Sequence, residues 1–274
     1  MPPTHDAIDY RGTRCIRLRN EGATALVALH GAQVLSWIPV DGRERLFLGE
    51  RAQLEAGSAI RGGIPVIFPQ FAGRGVLRKH GFARLLDWSF AGVVDDAAQF
   101  ELRDGPATAD WPHAFACRLS VALSAARLTV TLEVENRGDT AFDFTAALHT
   151  YLRVDGLAGA AVEGLQGCDY EDSANGGTLH RQHDWQVGFD GETDRIYGDV
   201  VAPLALLDGG HRLDIEHDGF GDTVVWNPGE RLAAGIADLA PGEHDRFVCV
   251  EAGQVLQPVA LAPGERWRGV QVLG

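Results

Sequence analysis

Three observations predict an all-β protein, a sandwich or barrel of short strands. Arg127 to Glu135 alternates apolar and polar residues without a break, so Leu128, Val130, Leu132 and Val134 share one face. That is the period of a half-buried strand. No segment of 12 or more residues carries the apolar stripe of an amphipathic helix. The 34 glycines and 12 prolines are spread along the chain and punctuate short runs of Val, Leu, Ile and Phe, as in sheet proteins with frequent turns.

Taken in order, Ala25 to Val40 and Glu44 to Leu48 read as strands flanking Asp41-Gly42, a strong hairpin signal. The 127–135 strand turns at Asn136-Arg137-Gly138-Asp139, and Phe142 to Val154 resumes it. Asp222 to Trp226 stops at Asn227-Pro228-Gly229, and Arg246 to Glu251 stops at Ala252-Gly253. No internal repeat, low-complexity tract or break in composition divides the 274 residues, which are read as one domain over 1–274. That length supports a sizeable core.

Lys and Arg number 24 against 38 Asp and Glu, a net charge of −14. This argues against a nucleic-acid partner, which requires clustered cations. An anion can bind such a chain only through a local basic pocket. No run of about 18 apolar residues suits a membrane helix, and Met1-Pro2-Pro3-Thr4-His5-Asp6 lacks the charge and apolar run of a secretory signal. Cys15, Cys117, Cys168 and Cys249 lie far apart, so no zinc ribbon or redox dithiol is present. They read as reduced thiols of a cytoplasmic protein, taken as a monomer rather than an oligomer. His180-Arg181-Gln182-His183 has metal-like spacing only on a helix, and its neighbours look like loop. Gly73-Arg74-Gly75 lacks the rest of a phosphate-binding fingerprint and reads as a turn.

Three polar segments interrupt apolar runs. In Ala146 to Leu152, extended geometry puts His149 and Tyr151 on one face and Leu148, Thr150 and Leu152 on the other. In Arg246 to Glu251, the carboxylate follows Phe247 and Cys249 on one face, at the end of an apolar strand, where it is costly unless paired or used. Arg78 to Arg84 holds three cations and His80 in seven residues, with Arg61-Gly62-Gly63 a little upstream. On residue types alone, His149 reads more readily as a satisfied structural histidine and Glu251 as a solvated strand end, while 78–84 reads equally as a solvated turn.

Six ordered motifs carry a resemblance: Arg61 to Phe71 (R-G-G-I-P-V-I-F-P-Q-F), His80 to Arg84 (H-G-F-A-R), Leu148 to Leu152 (L-H-T-Y-L), Glu192 to Tyr197 (E-T-D-R-I-Y), Val225 to Pro228 (V-W-N-P) and Phe247 to Glu251 (F-V-C-V-E). Together, from about residue 25 to the C-terminus, the chain resembles the glucose-6-phosphate 1-epimerases, the hexose-6-phosphate mutarotases of the aldose 1-epimerase superfamily. The resemblance implies a large antiparallel β-sandwich of the galactose-mutarotase type. It implies that His149 and Glu251 are catalytic, and that His80 is the second active-site histidine. It also implies that Arg61 and Arg84 bind substrate and its phosphate, and that Asp194 binds sugar. Where family members carry glutamine or a similar polar residue, this chain has Lys79, which either adds a phosphate contact or points to solvent.

The chemistry suits these residue types independently. Exchanging anomers requires one group to take the C1 hydroxyl proton while another protonates the ring oxygen. A carboxylate base and an imidazolium acid suffice, with no metal and no cofactor. The planar fork of Arg suits a phosphate. The expected partner is thus a small-molecule phosphosugar. The alternatives are a mutarotase for free aldoses such as galactose, which gives no reason for paired arginines, and a non-catalytic carbohydrate-binding module, which needs no acid–base pair.

Overall fold

A computed structural model describes residues 3–274; Met1 and Pro2 of the N-terminal segment read above lie outside the described residues. Strands make up 51% of it and helical turns 8%. The only α-helix among the described residues is Gly229–Ala233. All strand pairings in its three sheets are antiparallel, as expected of the sandwich.

A nine-stranded sheet centres on Arg266–Leu273, Leu128–Asn136 and Phe115–Leu123. An eight-stranded sheet runs through Thr193–Gly198, Asp222–Asn227, Phe247–Leu261 and Phe142–Leu148, and Tyr151–Arg153 also pairs with the long Phe247–Leu261 strand. A four-stranded sheet, from Thr4–Tyr10 to Val34–Ile38, completes the sandwich. The 127–135 alternation is realised: Leu128, Val130, Leu132 and Val134 are all buried. They join a core cluster with Ala146, Leu148, Val225, Val248, Val250 and Ala252 from the eight-stranded sheet. Burial of these apolar side chains between the sheets drives their pairing.

Alternation then decides what the outer face of the eight-stranded sheet carries. Val248, Val250 and Ala252 point into the core, so Phe247, Cys249, Glu251 and Val255 point out. There, one apolar group gathers Phe47, Tyr151, Leu239, Phe247 and Cys249, and another gathers Ile67, Phe71, Ala147, Ile196, Val224 and Val255. Glu251 lies between them.

Four sequence expectations are corrected. The 246–251 strand does not stop at Ala252-Gly253 but continues to Leu261, because both residues are paired on each side, with Asp222 and Thr223 and with Ala147 and Leu148. Glu251 is therefore mid-strand. Ala25 to Val40 is not one strand; Ala23–Ala28 and Val34–Ile38 pair across a turn in which Gly31 and Ala32 take positive φ. Glu44 to Leu48 forms no regular hairpin with that run, and Leu46 and Leu48 bridge Leu152 and Gly62. Thr178–Arg181, read as loop, is an exposed edge strand carrying His180.

Gly62 and Gly63 fix the approach of Arg61. Gly62 has φ +115°, and a Cβ there would stand 2.3 Å from the Phe47 carbonyl oxygen; one on Gly63 would stand 2.1 Å from that of Val34. Gly62→Ala combines strain and clash, so its expected cost is about 2 kcal/mol or more. Gly12→Ala, at φ +84° with nothing within 4 Å of its Cβ, should cost about 1 kcal/mol from strain alone. Urea unfolding of both variants measures this, and equal losses would show that the approach to Phe47 is not rigid.

Candidate active site

Strand register assembles the floor of a cleft on that outer face. One row across four strands is Asp194, Trp226, Cys249 and Tyr151. The next is Ile196, Val224 and Glu251. The pairing of Phe142–Leu148 and of Tyr151–Arg153 with the long strand keeps one register through the break, where the Val250 N–H donates to the Thr150 carbonyl. His149 thus stands opposite Glu251. The walls come from the 71–84 loop (Phe71, Lys79, His80, Arg84), from Arg61, and from Leu232 and Ile236 in the excursion between the last two strands of the floor. The cleft is about 380 Å³, within the roughly 300–1,000 Å³ usual for small-molecule sites. The structure brings all seven sequence-derived residues, His149, Glu251, Arg61, His80, Arg84, Asp194 and Lys79, to this one cleft. His180 and His183 do not line it.

Glu251 is 1% exposed and His149 7%. Nδ1 of His149 lies 3.3 Å from Oε1 of Glu251, but alignment is poor: Nδ1 and Oε2 of Glu251 have no hydrogen-bond partner. Burial pushes the Glu251 carboxyl well above the usual range, reinforced by Asp194 and opposed by Arg84 and Lys79. Burial also pushes His149 well below its usual value, reinforced by His80, Arg84 and Arg61. Both groups therefore favour the neutral form, with the proton on the carboxyl.

His80 sits at φ +67° beside Gly81, and its Nδ1 accepts the Ala72 N–H at 3.2 Å. That bond leaves the ring proton on Nε2. Burial, with help from Arg84, Lys79 and Arg61, pushes His80 down to about 2, so it is a neutral donor. Its ring centre is 5.6 Å from that of His149.

The two arginines differ. Arg61 is engaged: Nε donates to Asp238 at 3.2 Å, and a terminal nitrogen donates to the Tyr151 hydroxyl at 2.9 Å. The Tyr151 ring stacks on His149 at 4.9 Å and 9°. Arg84 has no acidic partner among the described residues; it donates only to the Lys79 carbonyl, and its buried Nε is unpartnered. Lys79 is exposed and lies at the rim without an ion pair among the described residues. Sequence reading missed Asp238, which shares no motif with Arg61. It also assigned no role to Trp226, although the quoted V-W-N-P motif contains it. Among the described residues, His149, Cys249 and Glu251 form the one group of three donors close enough to hold a metal ion.

The chain is similar to known proteins in sequence and fold. The family model "Aldose 1-epimerase" matches residues 14–274. A protein of Cenchrus ciliaris named "Putative glucose-6-phosphate 1-epimerase" is 36% identical over 260 residues, covering 89% of this chain and 79% of its own. A protein of the same name from Escherichia coli K12 is 34% identical over 239 residues, covering 83% and 78%. The crystal structure of a "putative mutarotase" from Salmonella typhimurium superposes with a TM-score of 0.90 at 29% identity, covering 98% of this chain and 92% of that one.

The half-buried Asp194 provides a test of the cleft's electrostatics. Its carboxyl is pushed up to about 6 by burial, and then by Glu192 and Asp172, against Lys79 and Arg74. A carboxyl raised on folding stabilises most below its unfolded value near 3.8, and that contribution is lost as pH rises through about 6. Asp194→Asn, which cannot ionise, should gain stability relative to wild type between pH 4 and pH 7. Urea midpoints of both proteins at the two pH values measure it, and a constant difference would contradict the assignment.

Proposed function

The chain belongs to the aldose 1-epimerase family, and on that premise we propose that it interconverts the α and β anomers of glucose 6-phosphate and related hexose 6-phosphates. The observation that carries the phosphosugar reading is Arg84: a half-buried guanidinium in the cleft wall, its Nε buried and unpartnered and with no acidic partner among the described residues, is costly unless an anion completes it. An overall charge of −14 makes that local cation more telling. The relatives' names point the same way.

In this reading Glu251 accepts the C1 hydroxyl proton and His149 protonates the ring oxygen, the aldehyde rotates, and the ring closes on its other face with roles reversed. Burial leaves the proton on Glu251 in the free protein, so it must first pass to His149 across the 3.3 Å gap. Such contacts are often long in empty sites and tighten around substrate. His80, a neutral Nε2–H donor, binds sugar, as does Asp194. Arg84 holds the phosphate with Lys79 at the rim. Arg61 does double duty, binding substrate and, through Tyr151, bracing the His149 ring. Four free cysteines suit a reducing cytoplasm.

The test is anomer exchange followed by NMR on glucose 6-phosphate and on glucose. Glu251→Gln and His149→Ala should each slow exchange about 10²–10⁴-fold with the fold intact. Arg84→Ala should lower kcat/KM for glucose 6-phosphate about 10-fold or more, the value of a charge-assisted contact, and lower that for glucose far less. Arg61→Ala should reduce both, because it also releases Tyr151. Equal enhancement of both sugars by wild type would favour a free-aldose mutarotase, and none for either a binding module.

A further inference from the structure

We propose that the cleft floor is also a site for a thiophilic divalent cation of the Zn²⁺ class, held by His149, Cys249 and Glu251, and that its occupancy blocks anomer exchange. A ring nitrogen of His149, Sγ of Cys249 and a carboxylate oxygen of Glu251 all lie within 4.8 Å of one another. All three residues are buried. On two of these residues a buried polar atom, His149 Nδ1 and Glu251 Oε2, has no hydrogen-bond partner. Strand geometry makes the grouping rigid: Cys249 and Glu251 are two residues apart on one face of a central strand, and His149 is opposite.

The donor set selects the ion. One sulfur, one imidazole nitrogen and one carboxylate oxygen suit zinc, whereas magnesium and calcium require oxygen shells. Zinc bonds of about 2.3 Å to sulfur and 2.0–2.2 Å to nitrogen and oxygen need side-chain shifts of about 1 Å from the present spacing. Binding displaces one proton from the thiol and one from the carboxyl, so the dication and its two anionic ligands sum to zero charge. Arg61, Arg84 and Lys79 oppose approach of the bare ion, while Asp194 and Glu192 on the same cleft favour it. A bound ion occupies the carboxylate that must carry the substrate proton. The inhibitory half of the proposal rests on that reading of Glu251; metal capture does not.

The experiment uses the full chain with Co²⁺ as spectroscopic probe. Wild type should develop a thiolate-to-cobalt charge-transfer band that Zn²⁺ displaces, and micromolar Zn²⁺ should inhibit exchange reversibly, with activity restored by chelator. Cys249→Ala should lose the band, keep basal exchange close to wild type, and need about 100-fold more Zn²⁺ for the same inhibition, since even an outer-shell change costs 10–100-fold in metal affinity. Cys249→Ser serves if the alanine variant misfolds. Absence of the band in folded wild type, its persistence in the variant through Cys15, Cys117 or Cys168, or unchanged Zn²⁺ inhibition would overturn the proposal. A band in wild type without anomer exchange on any sugar would leave the site standing and remove the proposed activity.

Discussion

A carboxyl group buried in the middle of a central strand is the constraint on which the rest of this structure turns. Glu251 has paired strands on both sides, an apolar core beneath and apolar clusters at either end of its own face. Left ionised and alone there, it would cost several kcal/mol. The fold meets that cost in two ways. It holds the group neutral, and it sets a histidine opposite through a register that survives a break in the neighbouring strand. Neither device is needed for stability, because an apolar residue of similar size would fill the position at less cost.

The surrounding cations follow from the same geometry. The Gly62-Gly63 turn brings Arg61 to Tyr151, and the 71–84 loop brings Arg84, Lys79 and His80 to the same cleft. These charges lower the affinity of both histidines for a proton and favour ionisation of Glu251. The cleft thus gathers three cations, alongside Glu192 and Asp194, in a protein of charge −14. The two arginines differ in their partners: Arg61 is tied to Asp238 and to the Tyr151 that stacks on His149, while Arg84 has no acidic partner among the described residues.

Much of the fold was legible because alternation is a local signal. Leu128 to Val134 declared their face, and His149 and Tyr151 were placed together correctly. The end of the strand at Ala252-Gly253 was not legible, since a glycine pair looks like a turn until its partners on both sides are known. For the same reason Glu251 looked like a strand end. The 25–40 run hid its own turn because Gly31 and Ala32 interrupt it too briefly to show. In the cleft, the quoted motifs contain six of the seven candidate residues, and Lys79 directly precedes one of them. Asp238 was invisible, because its contact with Arg61 spans 177 positions and only the tertiary fold brings them together.

The central claim is the protonation state of the buried pair. Labelling glutamate at the side-chain carboxyl carbon and assigning Glu251 by comparison with Glu251→Gln allows its titration to be followed by NMR in the free protein. The account predicts that Glu251 remains protonated at pH 7 while exposed glutamates are ionised, with His149 uncharged. An ionised Glu251 at pH 7 would contradict it, because burial would then not govern the cleft floor.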